Sequence, residues 1–169
     1  ETILVTGDEM PGGHMKVWDI EDYNNIELLG EYIVDPDHTV HNVYNIGNLV
    51  YCSYYADGTR VVDISNPQNP VEIGYYDTSE LESLYVGNWG VDPFLPSGNI
   101  ISSDIETGLY ITRLTGISIL HDPIEDVSMD DEIYPLESTI ISYSGEIVSA
   151  SINYRLIGTD NESWINLSL

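Results

Sequence analysis

The pattern of apolar and polar residues along the chain is that of short strands rather than helices. No segment keeps apolar residues at three- and four-residue spacing over several turns, whereas short apolar or alternating runs recur throughout. Turn dipeptides such as Gly47-Asn48 and Asp57-Gly58 separate these runs at hairpin distances. We therefore expect an all-β chain built from antiparallel meanders. The predicted strands are Ile3–Thr6, Met15–Ile20, Glu27–Ile33, Val40–Ile46, Leu49–Tyr54, Arg60–Ile64, Val71–Tyr76, Asn99–Ser103 and Leu109–Leu114.

One stretch of this pattern occurs twice. Lys16–Ile20 is followed by Gly30-Glu31-Tyr32, and 44 positions further on Arg60–Ile64 is followed at the same distance by Gly74-Tyr75-Tyr76. A weaker third copy ends in Gly108–Leu114. A period in the forties, made of short strands and turns, predicts the blades of a β-propeller. One blade cannot bury both of its own faces, so the chain is expected to form an array of packed sheets.

The second copy predicts a complete four-stranded blade within residues 40–76. Residues 1–33 would supply the later strands of the preceding blade, and residues 87–114 would supply a following one. In that following blade, Trp89-Gly90-Val91 is expected to take the place of His41-Asn42-Val43. Residues 1–118 are therefore predicted to be a partial propeller of about two to three blades.

After residue 118 the pattern changes. The acidic stretch 125–132 predicts a linker or loop, and residues 148–156 alternate as a half-buried strand does. Three strand-like segments are too few for a complete β-sandwich, which has about seven strands. Residues 119–169 are therefore expected to be a linker and the first strands of an immunoglobulin- or fibronectin-like sandwich. Because strand patterns run to both ends, the chain is expected to be a piece of a longer protein.

Charge narrows the range of partners. The 169 residues include 29 acidic and four basic side chains, a net charge of −25 at neutral pH. Such a charge repels nucleic acid and anionic lipid, and no apolar run is long enough for a membrane helix. Thirteen Tyr and three Trp supply apolar surface for a core, so disorder is not expected. Cys52 is the single cysteine, which excludes an internal disulfide and a cysteine zinc site.

Five segments occur along the chain in the order of a known family: Thr6–Glu9, His41–Tyr44, Gly58–Pro67, Glu72–Thr78 and Trp89–Tyr110. These motifs resemble those of LVIVD-repeat propellers, and more closely those of the choice-of-anchor B family of bacterial surface proteins. The resemblance covers roughly residues 1–114. It implies an exported β-propeller, often followed by accessory β-domains and an anchoring signal, with no established catalytic activity.

Three residues are candidate metal ligands. His41 opens an inner strand, and inner strands line the central channel of a propeller, so imidazoles there could hold a metal or another ligand. The structural alternative, a hydrogen bond from His41 to the backbone of a neighbouring blade, is favoured. Asp104 and Glu106 are paired carboxylates that would share one face of a strand and could bind calcium. No spacing typical of a calcium loop is present, and no other cofactor is expected.

Other residues are predicted to have structural roles. Asp19 and Asp63 recur at equivalent repeat positions and are expected to hydrogen-bond the backbone of turns. Trp89 is expected to pack in the core or the channel. Three glycines of the repeats and turns are also predicted to have structural roles, namely Gly58, Gly74 and Gly108.

The sequence thus favours a non-catalytic, exported or cell-surface propeller that binds or presents protein, peptide or polysaccharide at the cell envelope. The alternative is a metal-dependent or other enzyme whose site lies in the channel of the complete propeller. A third possibility is a purely architectural spacer. Fold alone does not decide among these.

Overall fold

The computed structural model describes residues 2–120, 138–154 and 165–168. These residues contain strands and turns and no helix, so the prediction of an all-β chain is confirmed. The chain divides into two compact units, Glu1–Leu114 and Thr115–Leu169.

The first unit contains three antiparallel sheets. The first sheet has the order β1 (Ile3–Gly7), β2 (Met15–Asp19) and β3 (Glu27–Tyr32). The second sheet is a four-stranded meander of β4 (Asn42–Ile46), β5 (Leu49–Ser53), β6 (Thr59–Asp63) and β7 (Val71–Tyr76). The third sheet consists of β8 (Asn88–Asp92), β9 (Ile100–Asp104) and β10 (Gly108–Thr112). These sheets of three to four strands do not close into a ring and are consistent with a partial β-propeller.

The two central strands of the second sheet, β5 and β6, are buried on both faces, and all but one residue of each strand is buried. On one face, Val50 and Val62 join a core cluster with Met15 and Val17 of β2. On the other face, Tyr51 and Val61 pack with Val91 and Ile100 of the third sheet. Successive side chains of a strand point to opposite faces, so neighbouring residues of one strand serve two different cores.

The repeat in the sequence is also a repeat in backbone geometry. The ladder between β2 and β3 shifts register at Val17/Trp18, and the ladder between β6 and β7 shifts at Val61/Val62, 44 positions later. A glycine lies opposite each bulge, Gly30 across from Val17 and Gly74 across from Val61.

At each of these two glycines, a later segment of the chain passes close to the backbone. A Cβ atom on Gly30 would lie 2.3 Å from the carbonyl oxygen of Pro67, in the loop between β6 and β7. A Cβ atom on Gly74 would lie 2.6 Å from Leu114 Cδ1. Because only glycine lacks a Cβ, the recurrent glycine lets each sheet pack directly against its neighbour.

The second unit contains two two-stranded antiparallel sheets among its described residues. One pairs β11 (Ile117–Leu120) with β12 (Thr139–Ser142), and the other pairs β13 (Ser151–Tyr154) with β14 (Ile165–Ser168). The pattern did not predict β11, since four residues carry too few alternations to be recognised. The linker predicted at 125–132 lies outside the described residues. The sandwich predicted for 119–169 stays a prediction.

Candidate functional site

The hairpin between β5 and β6 contains the residue that organises the candidate site. Tyr55 has a positive φ of 42°, a conformation that a bulky residue adopts only when its surroundings enforce it. Here, two backbone hydrogen bonds hold Tyr55 in this conformation. The N–H of Tyr55 donates to the carbonyl of Asn88 over 3.1 Å, and the N–H of Asn88 donates back over 2.9 Å. The second and third sheets are thereby joined at this point.

Four rings and one carboxylate surround this junction, and we call Glu9, His41, Tyr55, Tyr85 and Trp89 the aromatic cluster. Tyr55 meets the rings of Tyr85 and Trp89 edge to face, at centroid distances of 5.5 and 6.0 Å. The imidazole of His41 lies 4.1 Å from the indole of Trp89 and 5.4 Å from the ring of Tyr55. Edge-to-face and offset contacts of this kind are the favoured geometries of aromatic pairs.

Hydrogen bonds hold the polar atoms of the aromatic cluster. The Tyr55 hydroxyl donates to Glu9 Oε1, and His41 Nδ1 donates to the backbone carbonyl of Trp89. His41 Nε2 lies 4.0 Å from Glu9 Oε1. Burial raises the pKa of Tyr55, and its hydrogen bond with Glu9 raises that pKa further, so the phenol remains a donor.

The aromatic cluster is buried at its base and open at its rim. Tyr55 is 1 % exposed, whereas Tyr85 and Trp89 are 48 % and 49 % exposed. The side chain of Glu9 is 45 % exposed. Two half-exposed aromatic rings beside a carboxylate can stack on a sugar or receive a cationic group.

A buried polar network supports the base of the cluster. The Asn88 side-chain amide donates to Thr59 Oγ1 over 2.7 Å, and Thr59 Oγ1 lies 2.6 Å from Ser102 Oγ. All three residues are almost completely inaccessible. Buried polar groups that are hydrogen-bonded across two sheets fix the relative position of those sheets. The backbone that carries Tyr55 is therefore held in place from below.

Trp89 was expected to take the place of His41 in the third sheet, but the strand register places it differently. Asn42 pairs opposite Ser53 at the start of β4, and Asn88 pairs opposite Asp104 at the start of β8. The ladder then shifts between Asn88 and Gly90, which leaves Trp89 as the extra residue of a bulge. Trp89 thus does not occupy the position in the third sheet that His41 has in the second; instead, its ring contacts the ring of His41.

His41 lies directly before β4, and its Nδ1 contacts backbone of the third sheet, as the structural alternative expected. The same imidazole packs between Tyr55 and Trp89. Its role in any ligand site stays a prediction.

Asp104 and Glu106 do not share a strand face, because β9 ends at Asp104 and Glu106 lies in the following turn. Both carboxylates accept hydrogen bonds from protein groups. Asp104 Oδ1 accepts from the N–H groups of Glu106 and Thr107, and its Oδ2 accepts from Thr78 Oγ1 over 2.7 Å. Burial opposes the charged form of Asp104, but these hydrogen bonds outweigh it and lower its pKa. Glu106 Oε2 accepts from the N–H of Gly87 over 2.7 Å.

Within the described part of the chain, no three His, Cys, Asp or Glu side chains lie close enough together to hold a metal ion. His41, Asp104 and Glu106 are therefore not brought together as one ligand set. Calcium binding by Asp104 or Glu106 stays a prediction.

The recurrent aspartates lie at strand ends and accept hydrogen bonds from turn backbone. Asp19 Oδ1 accepts from the N–H of Glu21 over 2.8 Å, and Asp63 Oδ1 accepts from the N–H of Ser65 over 2.7 Å. This is the Asx-turn geometry of a chain that reverses after a strand. That either residue is needed for stability stays a prediction.

Gly58 directly precedes β6 and Gly108 is the first residue of β10, and both have positive φ, 76° and 100°. Glycine adopts this conformation without steric cost. At Gly58 there is also no room for a side chain, since a Cβ would lie 2.3 Å from the carbonyl oxygen of Tyr76.

Sequence reasoning did not single out Tyr55 and Tyr85, and it included Glu9 only in the motif Thr6–Glu9. Tyr85 lies between β7 and β8, outside the repeated segments, and Glu9 comes from the first sheet's hairpin. The one local signal was a run of two tyrosines at 54–55 in a tight hairpin, where turn residues are normally small or polar.

The comparisons with known proteins give one match. An LVIVD repeat is found at residues 39–78, a span that contains β4 to β7 and thus the whole second sheet. No curated protein and no solved structure matches the chain. Among the described residues, no helix combines the length and apolar character required to cross a membrane. Residues 39–78 are therefore an LVIVD repeat, and this repeat corresponds to one four-stranded sheet.

Proposed function

We propose that this chain is part of a non-catalytic, LVIVD-type β-propeller that binds a ligand through the aromatic cluster. The observation that carries the proposal is the half-exposed pair Tyr85 and Trp89, held on the buried ring of Tyr55. Tyr and Trp side chains are enriched at recognition sites, where they supply much of the binding energy. Rigid support from the buried hairpin reduces the entropy lost on binding.

We further propose that the protein is exported and acts at the cell surface, as a choice-of-anchor B protein. The sequence resemblance and the net charge of −25 support this location. The charge also disfavours nucleic acid as a partner. The ligand classes that fit are protein, peptide and polysaccharide of the cell envelope.

The experiment that tests this function is a binding screen of the full chain against immobilised glycans and peptides. We expect one class to bind and the Trp89→Ala variant to lose roughly tenfold or more in affinity, since truncating an aromatic side chain in a binding site costs about 1–3 kcal/mol. Tyr23→Ala is the matched control, because Tyr23 is 77 % exposed and lies outside the aromatic cluster.

Two outcomes would contradict the proposal. Equal loss of binding in the Tyr23→Ala and Trp89→Ala variants would remove the aromatic cluster as the binding site. Stoichiometric zinc, copper or iron that is lost on His41→Ala would favour the enzymatic alternative instead.

A further inference from the structure

We propose that the aromatic cluster binds a cation, the ammonium or guanidinium group of a basic peptide. This inference rests on the proposed function, because it names the ligand class of the same site. It is drawn from the geometry of the rings, the position of the Glu9 carboxylate and the charge of the chain.

Two of the rings, Tyr85 and Trp89, are half-exposed, and both contact the buried ring of Tyr55. The planes of Tyr85 and Trp89 stand at 81° and 87° to the plane of Tyr55, so both are nearly perpendicular to the buried ring. A cation placed against aromatic faces is attracted by the negative charge of their π systems, most strongly by Trp. Assemblies of several rings are the usual means by which proteins bind ammonium groups.

Glu9 supplies the complementary charge at the rim. Its Oε1 accepts the hydrogen bond from the Tyr55 hydroxyl, which fixes the carboxylate next to the rings. An ammonium or guanidinium group that contacts both the carboxylate and an aromatic face gains a charge-assisted hydrogen bond in addition to the cation–π attraction. A neutral sugar would gain the stacking contact and none of this charge interaction.

The described lysine and arginine side chains of the chain itself lie outside the aromatic cluster. Lys16 Nζ is 3.1 Å from Asp8 Oδ2, Arg60 Nη1 is 3.3 Å from Glu72 Oε2, and Arg113 Nε donates to Asn99 Oδ1. Arg60 also lies 4.8 Å from the centroid of the Tyr75 ring, so the same type of cation–π contact occurs within the fold.

The rest of the surface favours the same ligand. With 29 acidic and four basic residues, the chain produces a negative potential that attracts cations and repels anionic ligands. This attraction is not specific, so it raises the encounter rate, and the aromatic cluster would supply the specificity.

Calorimetric titration of the full chain tests the inference with blocked peptides of one length that contain Lys, Arg, Glu or only Gly and Ser. A neutral oligosaccharide and tetramethylammonium complete the set of probes. We expect the Lys and Arg peptides to bind, and Trp89→Ala and Glu9→Gln each to reduce affinity by roughly fivefold or more. Tyr23→Ala and Asp22→Asn, which change exposed residues of the β2–β3 loop, should leave affinity unchanged.

Each other outcome decides against the inference. If Asp22→Asn weakens the Lys peptide as much as Glu9→Gln does, binding is due to overall charge and not to the aromatic cluster. If only the neutral oligosaccharide binds, and Trp89→Ala abolishes its binding, the inference of a cationic ligand is wrong while the proposed function stands. If none of the probes binds, the cation inference and the proposed binding function both fail for these ligand classes. If tetramethylammonium binds and none of the peptides does, the inference that the ligand is a basic peptide is wrong.

A second variant protects the test against a folding defect. Trp89→Phe keeps an aromatic ring with a weaker cation–π attraction, so we expect its affinity to fall between those of the unaltered chain and Trp89→Ala. Affinity of Trp89→Phe equal to that of Trp89→Ala, in a variant with an unchanged melting temperature, would contradict a cation–π contact.

Discussion

His38 and Asp57 connect the loop after β3 to the hairpin after β5. His38 Nδ1 lies 3.0 Å from Asp57 Oδ2, and the two side chains are only 13 % and 11 % exposed. Burial opposes the charged imidazole, but the hydrogen bond and the charge of Asp57 outweigh it, with smaller contributions from Asp35 and Glu82. The pKa of His38 is therefore raised above its ordinary value of 6.5. Burial also raises the pKa of Asp57, and the nearby imidazole opposes that effect.

This pair predicts that the chain is more stable at slightly acidic than at slightly alkaline pH. A histidine whose pKa is raised on folding contributes stability that is fully present below its unfolded pKa and is lost as pH rises through its folded pKa. We expect the free energy of unfolding to fall as pH rises above about 6.5, and the His38→Gln and Asp57→Asn variants to lack most of this fall. Urea unfolding at several pH values measures it. A pH dependence unchanged in His38→Gln would contradict the assignment.

At the scale of the element, the strands and hairpins of residues 40–76 could be predicted from the sequence almost in full. The predicted strand Val71–Tyr76 matches β7, and Leu49–Tyr54 exceeds β5 by one residue. Alternation, turn dipeptides and the repeat all act locally, so they are visible in the sequence. Bulges were not predicted, because a register shift depends on the partner strand.

The recurrent glycine of the repeat gives a prediction at this scale. Gly30→Ala is expected to lower the free energy of unfolding by roughly 1–3 kcal/mol, since the new Cβ would meet backbone and ring atoms of Pro67 and Pro70. Gly74→Ala should cost less, because its neighbour is the end of the Leu114 side chain, which can rotate. Urea unfolding measures both changes.

Gly145→Ala is the control for this series, since a Cβ there has no atom within 4 Å. Its stability should be close to that of the unaltered chain. If Gly30→Ala were as stable as Gly145→Ala, the direct packing of β3 on the β6–β7 loop would be wrong.

At the scale of the whole molecule, charge dominates. A net charge of −25 on 169 residues makes the folded chain repel itself, and salt screens such repulsion. We therefore expect the melting temperature to rise by several degrees between about 10 mM and 500 mM NaCl. Thermal melts followed by circular dichroism measure the rise.

Comparison of salts separates screening from specific binding. KCl should match NaCl if screening is the cause. A rise seen only with CaCl₂, at millimolar concentration, would indicate the calcium binding predicted for Asp104 and Glu106 and would contradict a purely electrostatic explanation. A melting temperature that falls with NaCl would contradict the self-repulsion itself.

The sequence by itself determined the β class, most strand positions of the first unit and the repeat that groups them into packed sheets. These depend on alternation, turn chemistry and period, which are properties of neighbouring residues. Only the tertiary structure decided the candidate site. Glu9, Tyr55 and Tyr85 come from the β1–β2 hairpin, the β5–β6 hairpin and the β7–β8 connection, and they meet because the sheets pack against one another. No local pattern records such a meeting, since it depends on which sheet faces which.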